Sequence, residues 1–281
     1  METKKSANEI VIAKLNTASD RLTELVEQDG FYYVRKEITP EQYPVIKQFY
    51  EYQQRSPSPA IVTIYSVYEK EGHFYINEEW IRGESVEEHL YLQGPFSKDE
   101  VIRYAMDLCQ GLQWFHKHNM IHRDVTPANV IISEEKKAYL VDPGILREVK
   151  KNQTNDTQIL GTPGYAAPEQ FGFTQSDART DIYALGVLIN QMTTGKMPKE
   201  ALPKDRRLRK IVIKCTQISA EKRYLNCHQI YKQLDAVLPE DTPADIRFLR
   251  KIPGFRSATL WKMILAVCLY LFALLAFLAL A

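Results

Sequence analysis

Three groups of polar residues in the second half of the chain have the types and spacing to do chemistry. His122-Arg123-Asp124 is followed five residues later by Asn129. Asp142-Pro143-Gly144 follows the apolar run Ala138-Tyr139-Leu140-Val141. A third stretch reads Gly161-Thr162-Pro163-Gly164-Tyr165-Ala166-Ala167-Pro168-Glu169, and Asp181-Ile182-Tyr183-Ala184-Leu185-Gly186 comes after it. Carboxylates and amide oxygens are hard ligands of the kind that hold a divalent cation. A loop carboxylate can also orient a reacting hydroxyl. Each acid alone reads as a solvated loop residue. The order of the groups, with 18 residues from Asp124 to Asp142 and 27 more to Glu169, favours a site.

In that order and spacing the groups resemble the catalytic loop, metal loop and activation segment of protein kinases. The chain is similar to bacterial eukaryotic-like (Hanks-type) serine/threonine kinases over residues 8–238, most closely over 119–186. The resemblance implies transfer of the ATP γ-phosphate to a protein hydroxyl, with Mg²⁺ or Mn²⁺. Such a transition state spreads negative charge over three oxygens, so catalysis is positioning plus cations. By the resemblance, Asp142 would hold Mg²⁺ between the β- and γ-phosphates, and Asn129 would give a neutral oxygen to a second ion. Asp124 would accept the hydrogen bond of the attacking hydroxyl, and Thr162 would bond Asp124 and shape the substrate floor. Glu169 and Arg223 resemble the buried pair that ties the activation segment to the helical lobe. Asp181 resembles the helix acid that bonds the catalytic-loop backbone. Arg123 would be held by a phosphate on Thr154 or Thr157.

The first 80 residues fit the same pattern less closely. Lys36, in Tyr33-Val34-Arg35-Lys36-Glu37-Ile38, matches the strand lysine that meets the α- and β-phosphates, and strand alternation puts it on one face with Val34 rather than Arg35. Glu79-Trp80-Ile81 resembles the hinge, where the backbone of Glu79 and Ile81 would meet adenine. Glu78 then takes the gatekeeper position, where an apolar residue is usual. Two readings of it stand equal: tilted to solvent, or in a salt bridge with Lys36. The nearest helix acid for Lys36 is Glu51, which lies about two residues closer to the next strand than the family spacing expects. The phosphate-covering loop, Leu15-Asn16-Thr17-Ala18-Ser19-Asp20-Arg21-Leu22, has no glycine. Glycines let backbone N–H groups approach phosphates. Here Leu15, Asn16 and Ser19 would line the nucleotide, with the Thr17 and Ser19 hydroxyls compensating. Thr126 replaces the catalytic-loop lysine and removes a cation from the γ-phosphate, a loss of transition-state stabilisation. Pro143 replaces the usual Phe. These departures imply a kinase of low activity, or a pseudokinase acting as a scaffold.

The elements that would carry these residues follow from periodicity. Runs at 9–15, 22–28, 31–38, 60–68 and 72–81 are strand-like, with a hairpin turn at Asp29-Gly30 and a helix over 40–54 that has Pro at its start. Val101, Ala105, Leu108, Leu112 and Phe115 mark one helix face; Ile182, Leu185, Ile189 and Met192 a second; Ile230, Leu234 and Val237 a third. Short strands at 129–133 and 137–142 lie between the first two. Strands first and helices second suggest an α+β fold in two lobes; the resemblance implies that it is a bilobal protein-kinase-like fold, with an N-lobe over 8–82 and a C-lobe over 83–238.

Composition bounds the rest. The 281 residues, 45% hydrophobic and 25% charged, exclude a wholly disordered chain, and a net charge of +1 gives no global field for a polyanion. Cys109, Cys215, Cys227 and Cys268 form no CxxC pair, which argues against a zinc site and suits a reducing compartment. Residues 263–281 carry no charge, Gly or Pro. At about 1.5 Å per residue they match a bilayer core of about 30 Å, so a transmembrane helix is expected over 260–281. The preceding 16 residues hold Arg247, Arg250, Lys251, Arg256 and Lys262 and no acid. By the positive-inside rule the kinase-like part, joined through a basic linker over 239–259, is cytoplasmic. A natural tail anchor and a chain that has lost an outer domain both fit. The basic stretch Lys196, Lys199, Lys204, Arg206, Arg207, Arg209, Lys210 and Lys214 reads as a solvated helix face, or as a patch against anionic lipid or nucleic acid. A homodimer for trans-autophosphorylation is a further expectation.

Overall fold

Alternation of apolar and polar residues in the N-terminal third builds one antiparallel sheet. The computed structural model describes residues 9–15, 21–58, 60–142, 147–148, 162–171 and 176–237. Strands β1 (Glu9–Lys14), β2 (Thr23–Gln28), β3 (Phe31–Ile38), β4 (Ile64–Lys70) and β5 (His73–Glu79) lie in the order β1-β2-β3-β5-β4. The β2–β3 turn has Asp29 and Gly30 at φ 53° and 83°, the positive values that a two-residue hairpin of matching twist requires. Leu25, Val26, Val34, Ile38, Ile64 and Ile76 are buried along the sheet. Helix α1 (Tyr43–Arg55) has Pro44 in its first turn and turns Ile46, Phe49 and Gln53 inward.

The expected strand over 60–68 starts only at Ile64. Residues 60–62 turn away to pair with the second half of the chain. Leu140 N–H donates to the Ala60 carbonyl (3.0 Å) and Val62 N–H to the Leu140 carbonyl (2.9 Å). Gln53 of α1 clamps the same segment, donating to the Val62 carbonyl at 2.9 Å and accepting from Ile64 N–H at 3.0 Å.

Beyond residue 82 helices dominate. They are α2 (Val86–Leu92), α3 (Lys98–Lys117), α4 (Ala178–Thr194), α5 (Arg206–Cys215) and α6 (Cys227–Asp235). The expected faces of α3 and α4 are buried throughout, as are Ile230, Leu234 and Val237 at α6. Strands β6 (Gly83–Ser85), β8 (Val130–Ser133) and β9 (Ala138–Leu140) form a small sheet, and β7 (Met120–Ile121) pairs with β10 (Arg147–Glu148). Ser85 and Glu88 form a capping box at the start of α2, as Ser97 and Glu100 do for α3. Helices α4 and α5 pack so closely at Gly186 that a Cβ there would lie 2.3 Å from Cys215 Cβ. The contacts divide the chain into Met1–Val237 and Leu238–Ala281. The second unit lies outside the described residues, and with it the expected transmembrane segment and basic linker. Among the described residues no helix is long and apolar enough to cross a membrane.

Candidate active site

The loop between β7 and β8 holds the first chemical group. Asp124 is half-buried, and both of its carboxylate oxygens are engaged. Oδ1 accepts from the Thr162 hydroxyl at 2.7 Å, and Oδ2 from the Asn129 amide at 2.8 Å. The same amide donates to the Asp124 carbonyl at 3.0 Å. A 3-10 turn over Pro127–Asn129 brings Asn129 back to Asp124. Thr126, just before it, is buried at 4% exposure. No charged side chain therefore occupies that place.

Asp181 of α4 fixes the backbone of this loop. Its carboxylate accepts from His122 N–H (3.0 Å), Arg123 N–H (2.7 Å) and His116 Nε2 (2.8 Å). Burial alone would raise the Asp181 carboxyl. The His116 bond and charge, with those of His122, outweigh it and hold it below the usual range. Arg123 sits at φ 70° with its guanidinium buried in the loop. A non-glycine residue costs about 1–3 kcal/mol in such a backbone state, and residues of this kind concentrate at functional sites.

The second group lies at the end of β9. Val141 N–H donates to the Asn129 carbonyl at 3.0 Å, which joins this strand end to the Asp124 loop. Asp142 follows, exposed and at φ 59°. The Asn129 amide nitrogen is committed to Asp124, so its oxygen is the end left for a cation. A carboxylate and an amide oxygen suit Mg²⁺, which takes one or two protein oxygens and completes its shell from phosphates and water. Among the described residues no three His, Cys, Asp or Glu side chains converge into a metal cage.

Asp142 also bears on Lys36. Lys36 Nζ lies 2.7 Å from Glu78 Oε1, so Glu78 is in the salt bridge and the solvent-tilted reading falls. Burial opposes the Lys36 charge, but Glu78 and then Asp142 outweigh it, and the ammonium titrates above its ordinary value. Burial pushes the Glu78 carboxyl up, Lys36 opposes that shift, and Asp142 adds to it. The expectation that Glu51 pairs with Lys36 is corrected. Glu51 is exposed on α1, whose inward positions are Ile46, Phe49 and Gln53. Three- and four-residue helical spacing puts position 51 on the other side. Arg35 points to the opposite face of β3 and pairs with Glu9. Leu15 is half-exposed, while Glu79 and Ile81 are half-buried beside the last turn of β5.

The third group is tied to the helical half. Arg223 donates to both oxygens of Glu169, at 2.7 and 2.9 Å. Thr180 of α4 adds a third donor to Glu169 at 3.0 Å. Gln170, fully buried, accepts from Ala167 N–H (2.9 Å) and donates to the Arg123 carbonyl (3.1 Å), linking this segment to the Asp124 loop. Sequence reading passed over Gln170, Thr180 and His116. Gln170 adjoins Glu169, and His116 lies two turns beyond Cys109 on the same helix, but neither polar type is diagnostic alone. Asn16, Ser19, Thr154 and Thr157 lie outside the described residues, as does Pro143. The basic residues Lys196, Lys199, Lys204, Arg206, Arg207, Arg209, Lys210 and Lys214 are all exposed, and only those from 206 onward are helical.

Comparison with known proteins matches this arrangement. The protein kinase domain family covers residues 26–257. Serine/threonine-protein kinase PknB of Mycolicibacterium smegmatis is 36% identical over 147 residues, which is 50% of this chain and 24% of that protein. A probable serine/threonine-protein kinase of Clostridium acetobutylicum is 28% identical over 219 residues, 70% of this chain and 33% of that protein. One of Bifidobacterium longum is 30% identical over 142 residues, 50% of this chain and 19% of that protein. The chain thus spans a third or less of the length of these curated relatives. With the matched region taking in Lys36, Asp124, Asn129, Asp142 and Glu169, the chain belongs to the protein kinase domain family.

Proposed function

We propose that this chain is a membrane-tethered serine/threonine protein kinase that transfers the ATP γ-phosphate to protein hydroxyls at a low rate. The observation that carries the reading is the Asp124 carboxylate, held between the Thr162 hydroxyl and the Asn129 amide at 2.7 and 2.8 Å. A carboxylate fixed in this way would accept the substrate hydroxyl's hydrogen bond, direct a lone pair at the γ-phosphorus, and receive the proton as the new O–P bond forms and the P–O bond to the departing ADP breaks. Lys36 binds the α- and β-phosphates, and the backbone of Glu79 and Ile81 meets the base. Asp142 and Asn129 are the residues that would hold Mg²⁺, which neutralises charge developing on the phosphate oxygens. Thr162 and its segment form the floor on which the protein substrate lies, and the Gly-Thr-Pro-Gly-Tyr pattern supports serine or threonine as acceptor.

The low rate rests on two features. The loop over 15–22 lacks glycine, and Thr126 stands where a lysine would neutralise the γ-phosphate. The same features support a second reading, a pseudokinase scaffold. Incubation with radiolabelled MgATP separates them. Slow incorporation that Asp124→Ala and Asp142→Asn each abolish, with nucleotide binding kept in Asp124→Ala, supports the kinase. Equal label in the wild type and Asp142→Asn establishes the scaffold.

The charge-free run 263–281 and the basic residues before it support a tether with the kinase on the cytoplasmic side. Protease added outside spheroplasts is expected to leave residues 1–237 intact. The exposed basic residues over 196–214 are read as a solvated face. Phosphate on Thr154 or Thr157, delivered within a homodimer, would pair with Arg123 and order the segment before Thr162.

A further inference from the structure

The acid that faces Lys36 stands on the neighbouring strand and not on α1. In the β3–β5 ladder Lys36 lies opposite Ile76, and Val34 opposite Glu78. Lys36 and Glu78 are therefore diagonal neighbours on one sheet face, within reach of two long side chains. Both strands are central in the sheet, so the pair is fixed by main-chain hydrogen bonds on each side. Helix α1 offers no acid to this face. Its inward Gln53 is spent on Val62 and Ile64, and Glu51 is exposed. Glu78 is 3% exposed, yet only its Oε1 is engaged, and Oε2 has no hydrogen-bond partner among the described residues. An orphan acceptor on a buried carboxylate is costly and calls for a reason. An ion pair carrying that cost beside Asp142 points to a role in the cleft.

We propose that Glu78 is the positioning residue for Lys36: a strand-borne carboxylate holds the ammonium in the cleft, independently of where α1 sits. The proposal rests on the reading of the cleft as a nucleotide site. Its consequence concerns regulation. A lysine held from a helix is set or released when that helix rotates. A lysine held from within its own sheet is set once the sheet folds. A change in the facing of α1 then does not by itself release Lys36, which leaves the segment around Thr162 and substrate access as places for control.

The test uses the full chain in detergent micelles. Affinity for a fluorescent ATP analogue with Mg²⁺ is measured beside kcat and KM for phosphate incorporation. Glu78→Gln keeps shape and removes charge, Glu78→Leu removes both, and Glu78→Asp keeps charge on a shorter stem. The Gln and Leu variants are expected to weaken nucleotide binding at least tenfold, to raise KM for ATP by a similar factor, and to lower kcat less than threefold. Glu78→Asp is expected to recover part of the loss. In a Lys36→Met background Glu78→Gln is expected to change affinity less than twofold, since its effect passes through the lysine. Circular dichroism and thermal unfolding identify a variant that fails to fold, and the isosteric Gln variant then carries the test.

Three results overturn the proposal. Tighter nucleotide binding by Glu78→Leu shows that the carboxylate competes with phosphate for Lys36. A tenfold loss that persists in the Lys36→Met background shows that Glu78 acts on the fold and not on the lysine. A loss on Glu51→Gln equal to that on Glu78→Gln returns the role to the helix. A wild-type chain that binds nucleotide while the Glu78 variants bind it equally well defeats this proposal alone. A wild-type chain that neither binds nucleotide nor incorporates phosphate defeats the kinase reading beneath it.

Discussion

Replacing Arg223 by methionine is expected to cost about 3–5 kcal/mol of stability, the range for stranding one partner of a buried ion pair. The guanidinium is fully buried and makes five hydrogen bonds. Two go to Glu169, and one each to the carbonyls of Arg179, Gln217 and Ile218. It also lies 5.0 Å from the Tyr183 ring centroid. Methionine keeps most of the stem, so the cavity contribution is small. What remains is the Glu169 carboxylate, 7% exposed, with Thr180 as its surviving side-chain donor. Set against the 5–15 kcal/mol of an ordinary domain, roughly a third of the stability is at stake. With a urea m-value of about 2–3 kcal/mol/M for a domain of this size, the midpoint is expected to fall by about 1–2.5 M. Urea titrations followed by tryptophan fluorescence measure it, with Glu169→Met and the double variant completing a cycle. The double variant is expected to lose at least about 1 kcal/mol less than the sum of the singles, because removing both charges leaves neither stranded. A midpoint shift below about 0.3 M, or strict additivity in the cycle, would refute the reasoning.

Three further outcomes are expected. Thr126→Lys restores a cation that acts where charge develops in the transition state, so initial-rate kinetics are expected to show kcat rising with KM for ATP changing little. Gly186→Ala puts a Cβ 2.3 Å from Cys215 Cβ and forces α4 and α5 apart; thermal unfolding is expected to show a loss of about 1–3 kcal/mol, with the two losses less than additive when Cys215→Gly, which removes the opposing Cβ, is added. The His116 imidazole titrates at about 10 against an ordinary 6.5: burial opposes its charge, but Cys227 and Asp181 outweigh it. A raised folded-state value means that this stabilisation is complete below pH 6.5 and is lost as pH rises through 10. Denaturation of the wild type and His116→Gln is therefore expected to show a stability gap that narrows from pH 6 to pH 10.

Where an element buries one face and nothing competes for it, its residues announced it. Val101 through Phe115 and Ile182 through Met192 have zero or near-zero exposure because each stripe faces another helix. The polar loop groups were legible for a related reason: Asp124, Asn129 and Asp142 stand where no packing demand explains them, whereas Glu169 is a buried structural acid paired with Arg223. Residues 60–62 were misread because β-branched residues serve an isolated bridge as well as a strand, and only the approach of Leu140 decides between them. Helix α2 is short, seven residues with only Val86 buried, so it has no apolar stripe to announce it. Proximity in the chain favours Glu51. The partner of Lys36 was settled by strand register, a property of two segments that neither segment displays by itself.

The bonds from Ala60 and Val62 to Leu140 tie the strand-rich half to the helical half at the rear, and the chain crosses between them again at residues 80–83. Helix α1 widens that rear seam, with Phe49 packed on Trp114 and Phe115 and the Trp114 indole donating to the Ser56 carbonyl at 2.6 Å, so an opening of the cleft would turn about the seam. Widening of the cleft would then act as a door does: the β2–β3 hairpin, with Tyr32 against Trp80 and Tyr33 opposite Glu79, stays near the hinge, and the β4–β5 turn at the other end of the sheet sweeps further. Lys36 and Glu78 ride together on the moving leaf, while Asp142 stays with the frame through Val141 and Asn129. The separation between Lys36 and Asp142 is thus a natural gauge of aperture, and a pair of probes on β3 and on the strand leading to Asp142 would read the door's angle directly.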